Sequence, residues 1–303
     1  MKQTAHTSER LIHLLLIVAS VISILTTVGI LFSILFQAIE FFQLRSFWYF
    51  LTGTEWTPGR EDSRFGALPI FTGTFMITVI ALLVALPTGV GSAIYMSEYA
   101  SRQKRNILKP ILEVLAGIPT VVYGFFAALT VAPMIVELFE MLGFDAAYNS
   151  ALACGIVMGI MIIPIIASLS DDVLRAVPHA QRNASLALGM THSETIRHII
   201  VPSAMPGIIS AGLLGFSKAI GETMIVVMAA GLRPNLSWNP LQDMTTVTVR
   251  IVDSLVGDHA FDSPATLSAF ALGLVLFTIT LLLNVLSLSQ IRKFKLRYQI
   301  NTL

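Results

Sequence analysis

Residues 68–96 read LPIFTGTFMITVIALLVALPTGVGSAIYM, with no charged side chain from Leu68 to Met96. A helix needs about 20 predominantly apolar residues to cross roughly 30 Å of hydrocarbon, and this run is longer than that. Working outward, the same pattern recurs at Leu11 to Phe36, at Ile111 to Met134 with Glu113 near its start, and at Ala151 to Leu169. It returns at Pro206 to Leu232 and at Thr266 to Ile291. The chain is 55% hydrophobic and 12% charged, about half the charge of an average soluble domain, so the solvent that matches it is a bilayer. The expectation is an all-α polytopic membrane protein of about six transmembrane helices.

Charge distribution orients it. If the N-terminus is cytoplasmic, the inner segments carry thirteen Lys and Arg: Lys2, Arg10, Arg102, Lys104, Arg105, Lys109, Arg175, Arg182, Arg197, Arg292, Lys293, Lys295 and Arg297. The outer segments carry five, Arg45, Arg60, Arg64, Arg233 and Arg250, and the remaining cation, Lys218, lies within an apolar run. The positive-inside rule then puts both termini in the cytoplasm. The first run is too long for a signal-peptide core and lacks a small-residue cleavage site, so it is expected to stay as an anchor. The expected organisation is a cytoplasmic N-terminus at 1–10, a transmembrane helix at 11–39 and a periplasmic interfacial segment at 40–67. A transport domain follows at 68–291 with an inner loop at 171–205, and then a cytoplasmic C-terminus at 292–303. The net charge of +1 and scattered cations exclude a nucleic-acid surface, and the single Cys154 can build neither a disulfide within the chain nor a cysteine-based metal site.

The outer segment after the first run contains Phe41, Phe42, Phe47, Trp48, Tyr49, Phe50 and Trp56. Such ring density suits a segment lying along the membrane interface, or a docking face for an external partner. The outer acids Asp243, Asp253, Asp258 and Asp262 lack convergent spacing and read as solvated, with no metal site. Pro87, Pro119 and Pro164 fall within spans and are expected to bend or break them. Gly155 and Gly159 form a G-x-x-x-G, read as close helix packing.

Asp171 to Met205 is longer than a tight helical connection and amphipathic. Pro178 can open a first short helix at its first position and Gly189 can close it at C′. Thr191-His192-Ser193-Glu194 is a capping box for a second, which Pro202 and Pro206 are expected to end. The first helix presents Leu186, Leu188 and then Met190 with no core of its own chain to cover them, a pattern of docking sites.

The loop reads Asn183-Ala184-Ser185, three residues, Gly189, nine residues, then Ile199-Ile200-Val201-Pro202. It thereby resembles the permeases of binding-protein-dependent ATP-driven importers, whose loop signature is Glu-Ala-Ala, three residues, Gly, nine residues, Ile-x-Leu-Pro. Asn183 and Ser185 are departures from that signature. The likeness extends to the phosphate permeases of the PstC type through Phe65-Gly66-Ala67-Leu68-Pro69, Thr72-Gly73-Thr74, Gly117-Ile118-Pro119-Thr120-Val121-Val122-Tyr123-Gly124 and Lys218-Ala219-Ile220-Gly221-Glu222-Thr223. The resemblance implies a type I importer permease (MetI-like) core in the bacterial inner membrane and a second permease subunit of the PstA type. It also implies ATPase subunits of the PstB type that hold ATP and Mg, and a periplasmic phosphate-binding protein of the PstS type. Asn183, Ala184, Ser185, Leu186, Leu188, Gly189, Met190, Ile199 and Pro202 would then couple the chain to the ATPase. None of the 20 glycines is followed by Lys, so the chain has no P-loop and is expected to be a transport subunit without cofactor or hydrolysis of its own.

Lys218 and Glu222 stand within the fifth run. Counted as helix from Pro206, Lys218 lies about 18 Å in, near the middle of the hydrocarbon. Each charge costs about 2.5–3.5 kcal/mol there, which charged residues meet by facing a polar pathway or one another. Their i,i+4 spacing would place them on one helical face, but Lys before Glu is the less favourable order for a helical pair. A substrate-pathway role is therefore preferred over a self-neutralising pair, with Lys218 attracting the anion and Glu222 preventing it from being held too tightly. The family usually has arginine where Lys218 stands, and lysine lacks its bidentate fork. The rival reading is an ion-coupled transporter using the two charges as a relay, which has no need of an ATPase docking loop. Phosphonate or sulfate remains an alternative cargo within the importer class.

Overall fold

Helix α3 (Leu68–Ile94) and helix α7 (Ala151–Arg175) form the central pair, because small residues let their backbones close on one another. A Cβ on Gly155 would stand 2.6 Å from Ile80 Cγ2, and one on Gly159 would stand 2.8 Å from the Ala81 carbonyl oxygen. Lipid gives apolar helices little reason to associate, so close packing through small residues supplies the contact. The Gly155–Gly159 motif is a packing motif, as its spacing predicts.

The computed structural model describes residues 2–58, 63–257, 260 and 262–299; Arg60, Asp258 and positions 300–303 of the C-terminal segment lie outside them. Six of its helices are long and apolar enough to cross a membrane: Ile12–Leu44, Leu68–Tyr99, Thr120–Met141, Ala151–Arg175, His192–Ile220 and Pro264–Leu286. The chain is an all-α, multi-pass membrane protein. Among the described residues the only strands are β1 (Trp56–Thr57) and β2 (Arg64–Phe65), paired antiparallel. Most hydroxyls in the spans bond within their own helices, as where Thr74 Oγ1 donates to the Ile70 carbonyl at 2.9 Å, while Ser170 Oγ in α7 is buried without a partner. This is what a solvent without hydrogen-bonding groups requires.

Helix α1 (Lys2–Leu44) meets helix α13 (Pro264–Gln299) and the start of α3 at one end of the bundle. A small aromatic core fills that end, built from Phe41, Phe50, Trp56 and Phe65 in edge-to-face contacts, with Phe50 on α2 (Phe47–Thr52). Half of the ring-rich segment is therefore buried against its own chain instead of lying along the interface; Phe47, Trp48 and Tyr49 are the exposed rings. The opposite end of the bundle carries the 171–205 loop.

Three expectations about the spans are corrected. The third span starts at Thr120, because α4 (Arg102–Ala116) is a separate amphipathic helix capped by Ser101. It breaks off at Gly117 before Pro119 opens α5 (Thr120–Phe126), with α6 (Ala132–Met141) completing the span, so Ile111 and Glu113 belong to α4. Pro87 and Pro164 break nothing: α3 and α7 run through them. The fifth span begins earlier and ends earlier than its apolar run. Pro202 and Pro206 sit inside helix α10 (Val201–Ile220), which continues from the short α9 (His192–Thr195) through a widened turn at Ile196–Ile200. There the Val201 N–H donates to the Ile196 carbonyl, so the extra residue absorbs a proline with no N–H to give.

Candidate functional site

Helix α8 (His179–Ala187) is opened by Pro178 at its N-cap, one position earlier than expected. It is closed by Gly189, whose φ of +85° places it in the left-handed region that glycine enters without a Cβ penalty. The Gly189 N–H donates to the Leu186 carbonyl at 3.0 Å and the Met190 N–H to the Ser185 carbonyl at 3.2 Å, satisfying the last turn. The capping box is present: Thr191 Oγ1 accepts from the Glu194 N–H while the Glu194 carboxylate accepts from the Thr191 N–H.

The two faces of α8 differ. Asn183, Ala184, Leu186 and Leu188 are exposed, Leu188 at 85% of its surface, and Met190 and Ile199 are half-buried with Pro202. Ser185 faces inward, only 3% exposed; its Oγ donates to the Arg182 carbonyl at 2.8 Å and lies 3.0 Å from Thr195 Oγ1. The hydroxyl in place of the signature's second alanine thus ties α8 to α9.

At the other candidate position, α10 ends at Gly221 and a new short helix, α11 (Met224–Ala229), begins after a non-helical break. Lys218 lies in the last turn of α10 with its side chain exposed. Glu222 lies in the break and is 8% exposed; its Oε1 accepts from the Met224 N–H at 3.0 Å and the Ile225 N–H at 3.3 Å. Thr248 Oγ1 donates to the Glu222 carbonyl at 2.8 Å, fastening the break to α12 (Val247–Val256). The two charges therefore do not share one continuous helical face, and among the described residues they form no ion pair. Lys218 also sits farther along than a count from Pro206 suggests. From Val201 it is about 26 Å up the helix, toward the end of the bundle opposite the loop.

A loop with exposed leucines at one end and a charged break toward the other fit a transport subunit, and the family comparison agrees. The family described as "Binding-protein-dependent transport system inner membrane component" matches residues 85–295. The chain belongs to this family. Among similar permeases, a probable ABC transporter permease protein of Bacillus subtilis, YqgH, is 36% identical over 77% of this chain and 74% of its own length. The phosphate transport system permease protein PstC 1 of Mycobacterium tuberculosis is 34% identical over 81% of this chain and 82% of its own length. The PstC protein of Mesorhizobium japonicum is 32% identical over 77% and 75%. A chain of the MetNI methionine ABC transporter in an inward-facing conformation aligns with a TM-score of 0.55 at 16% identity, over 76% of this chain and 94% of that one. A bacterial transporter importing the polysaccharide alginate also gives 0.55, at 14% identity over 72% and 78%. The MetI-like type I permease fold is thereby established.

Several residues of this permease that hold the loop in place were not singled out from sequence. Arg182 Nη1 donates to Glu98 Oε2 at 2.6 Å, Arg105 Nη2 to Asp171 Oδ2 at 2.7 Å and Lys109 Nζ to Asp172 Oδ1 at 2.7 Å. The first pair joins residues 84 positions apart, which no local pattern reveals. Of the outer acids, Asp253 is paired with Arg250 at 2.7 Å, and the same guanidinium donates to the Leu232 carbonyl. Burial lowers the Arg250 pKa below the ordinary arginine value, with Asp253 opposing the shift.

Proposed function

We propose that this permease carries inorganic phosphate from the periplasm to the cytoplasm, driven by ATP hydrolysed on a separate ATPase that docks against α8. The observation that carries the coupling half is Leu188. A leucine 85% exposed at the tip of a helix hydrogen-bonded from behind through Ser185 and Arg182 is an apolar anchor with no partner among the described residues. The cargo half rests on the PstC relatives, whose names specify phosphate transport. In this reading a second permease of the PstA type completes the pathway, a PstS-type protein delivers phosphate, and PstB-type ATPase subunits bind ATP and Mg. Both termini are cytoplasmic, on the same side as the loop.

Lys218 supplies the cation that attracts the anion; it reaches outward from the end of α10 and is exposed in the isolated chain. Glu222 holds the break that presents it, and its negative charge keeps the anion from settling. An ion-coupled mechanism, the alternative for such charges, leaves an ATPase-docking loop without a use. The test is ATP-driven uptake of radiolabelled phosphate by proteoliposomes containing the two permeases, the ATPase and the binding protein. Uptake that unlabelled phosphate suppresses, and sulfate or phosphonate does not, is expected; equal suppression by sulfate would refute the cargo assignment. Leu188→Asp is expected to release the ATPase from the complex, and its retention at the unmodified amount would refute the docking.

A further inference from the structure

At the loop end of the bundle one buried ion pair joins four elements. Span two ends in a widened turn, Tyr95–Tyr99, closed by the Ala100 N–H donating to the Tyr95 carbonyl at 2.8 Å. Each residue of a helix turns the chain by about 100°, so an inserted residue of this kind redirects the side chains that follow. Glu98 in this turn is 2% exposed at its side chain and Arg182 on α8 is 16% exposed. Glu98 Oε2 accepts from Arg182 at 2.6 Å and Oε1 accepts from Ser97 Oγ at 2.8 Å. The other branch of the Arg182 guanidinium donates to the Leu174 carbonyl at 2.8 Å, in the last turn of α7. The Glu98 carbonyl lies 3.3 Å from His192 Nε2 at the start of α9, and the Tyr99 ring meets the His192 ring edge-on at 5.4 Å.

We infer that Glu98 and Arg182 are positioning residues for transport: they pass displacement of α8 by the ATPase into span two, and through the α3–α7 packing into span four. The inference rests on the proposed docking of the ATPase at α8. Along the chain, α8 is joined to span four through residues 176–178 and to span five through α9 and α10, whereas span two has no covalent connection to it. A fork that grips Glu98 with one branch and Leu174 with the other binds both spans to the inward face of the docking helix. Charged hydrogen bonds with little water access hold their geometry better than exposed ones, which suits a mechanical joint.

The experiment measures phosphate moved per ATP hydrolysed by the whole complex in proteoliposomes, together with the amount of ATPase retained. Glu98→Gln is expected to keep the ATPase and its hydrolysis while phosphate moved per ATP falls about tenfold, inside the roughly 5–150-fold range of inter-site couplings. Glu98→Asp, which keeps the charge but shortens the reach, is expected to fall less. Arg182→Met, which also releases the Leu174 carbonyl, is expected to fall at least as far as Glu98→Gln, and the double variant to be no worse than Arg182→Met alone, because the arginine change already removes the Glu98 link. A merely structural pair would change the yield of assembled complex and leave the ratio unmoved. An unmoved ratio in assembled Glu98→Gln and Glu98→Asp would overturn the inference, and so would failure of both to assemble, which would make the pair a folding element. Leu188→Asp separates the two claims: if it keeps its ATPase, the docking reading fails, whatever Glu98→Gln does.

Discussion

Replacing Glu222 by alanine removes the one carboxylate that accepts from the first free N–H groups of α11, at 3.0 and 3.3 Å. Loss of a cap acceptor costs about 0.5–2 kcal/mol. A hydrogen bond to a charged group contributes about 1.5–3 kcal/mol, but the second contact here is long. Water cannot readily substitute at a residue only 8% exposed, so about 2 kcal/mol is a fair expectation for Glu222→Ala. Six residues cannot hold a helix by propensity alone, so α11 depends on this cap and on its packing, as where Met228 closes on Gly124. Glu222→Gln keeps an acceptor oxygen of the same reach and is expected to lose less than half as much. Thermal unfolding of the solubilised complex reads the difference; at about 2–4 °C per kcal/mol, alanine lowers the midpoint by about 4–8 °C. Lys218 shares no hydrogen bond with the cap, so the effect of Lys218→Leu is expected to add to that of Glu222→Ala within about 0.5 kcal/mol. An unchanged midpoint for Glu222→Ala, or strong non-additivity with Lys218→Leu, would refute the separation of the two charges into different roles.

Gly189→Val forces a β-branched residue to a φ of +85°, where left-handed backbone costs an ordinary residue about 1–2 kcal/mol; it is expected to weaken ATPase retention, with Gly189→Asn close to the unmodified chain in the same co-purification assay. Ser185→Ala leaves Thr195 Oγ1 without its buried partner and is expected to cost about 1–3 kcal/mol in thermal unfolding, while leaving the exposed Leu186 and Leu188 in place. A cysteine added after Leu303 is expected to resist an impermeant thiol reagent applied from the periplasm and to react once the membrane is opened; native Cys154 is buried and supplies a low background.

What sequence could tell about this chain followed from whether a property is local. The spans were legible because apolar length is a property of a run, and the α8–α9 loop because caps, an αL glycine and spacing are read within a few residues. The third span was placed too early because α4 carries Ile107, Ile111 and Val114 on an apolar face that looks like the start of a membrane run. Its separation depends on Gly117 and Pro119 acting together. The break at Gly221–Thr223 was invisible, since an apolar run crosses it and the interactions that hold it come from Thr248 and from backbone groups. The Glu98–Arg182 joint was illegible for the same reason, each partner having no neighbour in sequence that announces the other.

The break also resolves the order of the two charges in the fifth span. In a continuous helix, Lys218 before Glu222 sets a cation toward the positive end of the dipole and an anion toward the negative end, and an i,i+4 pair in this order gains little. Ending α10 at Gly221 reverses that accounting. Lys218 now lies in a C-terminal turn, where the free carbonyls favour a cation, and Glu222 lies at an N-terminus, where free N–H groups favour an anion. Each charge is then placed by the helix end beside it and neither needs the other as a counter-ion. Among the described residues the Lys218 ammonium has no ion-pair partner and lies on an exposed face of the isolated chain, while Glu222 holds the break in shape. A lipid-facing helix end would leave carbonyls and N–H groups with no partner, so such a break is stable only where protein or a watery pathway lies beside it. Thr248 of α12 and the Glu222 carboxylate meet that condition on one side of the break, and the proposed route of the anion along the end of α10 would meet it on the other.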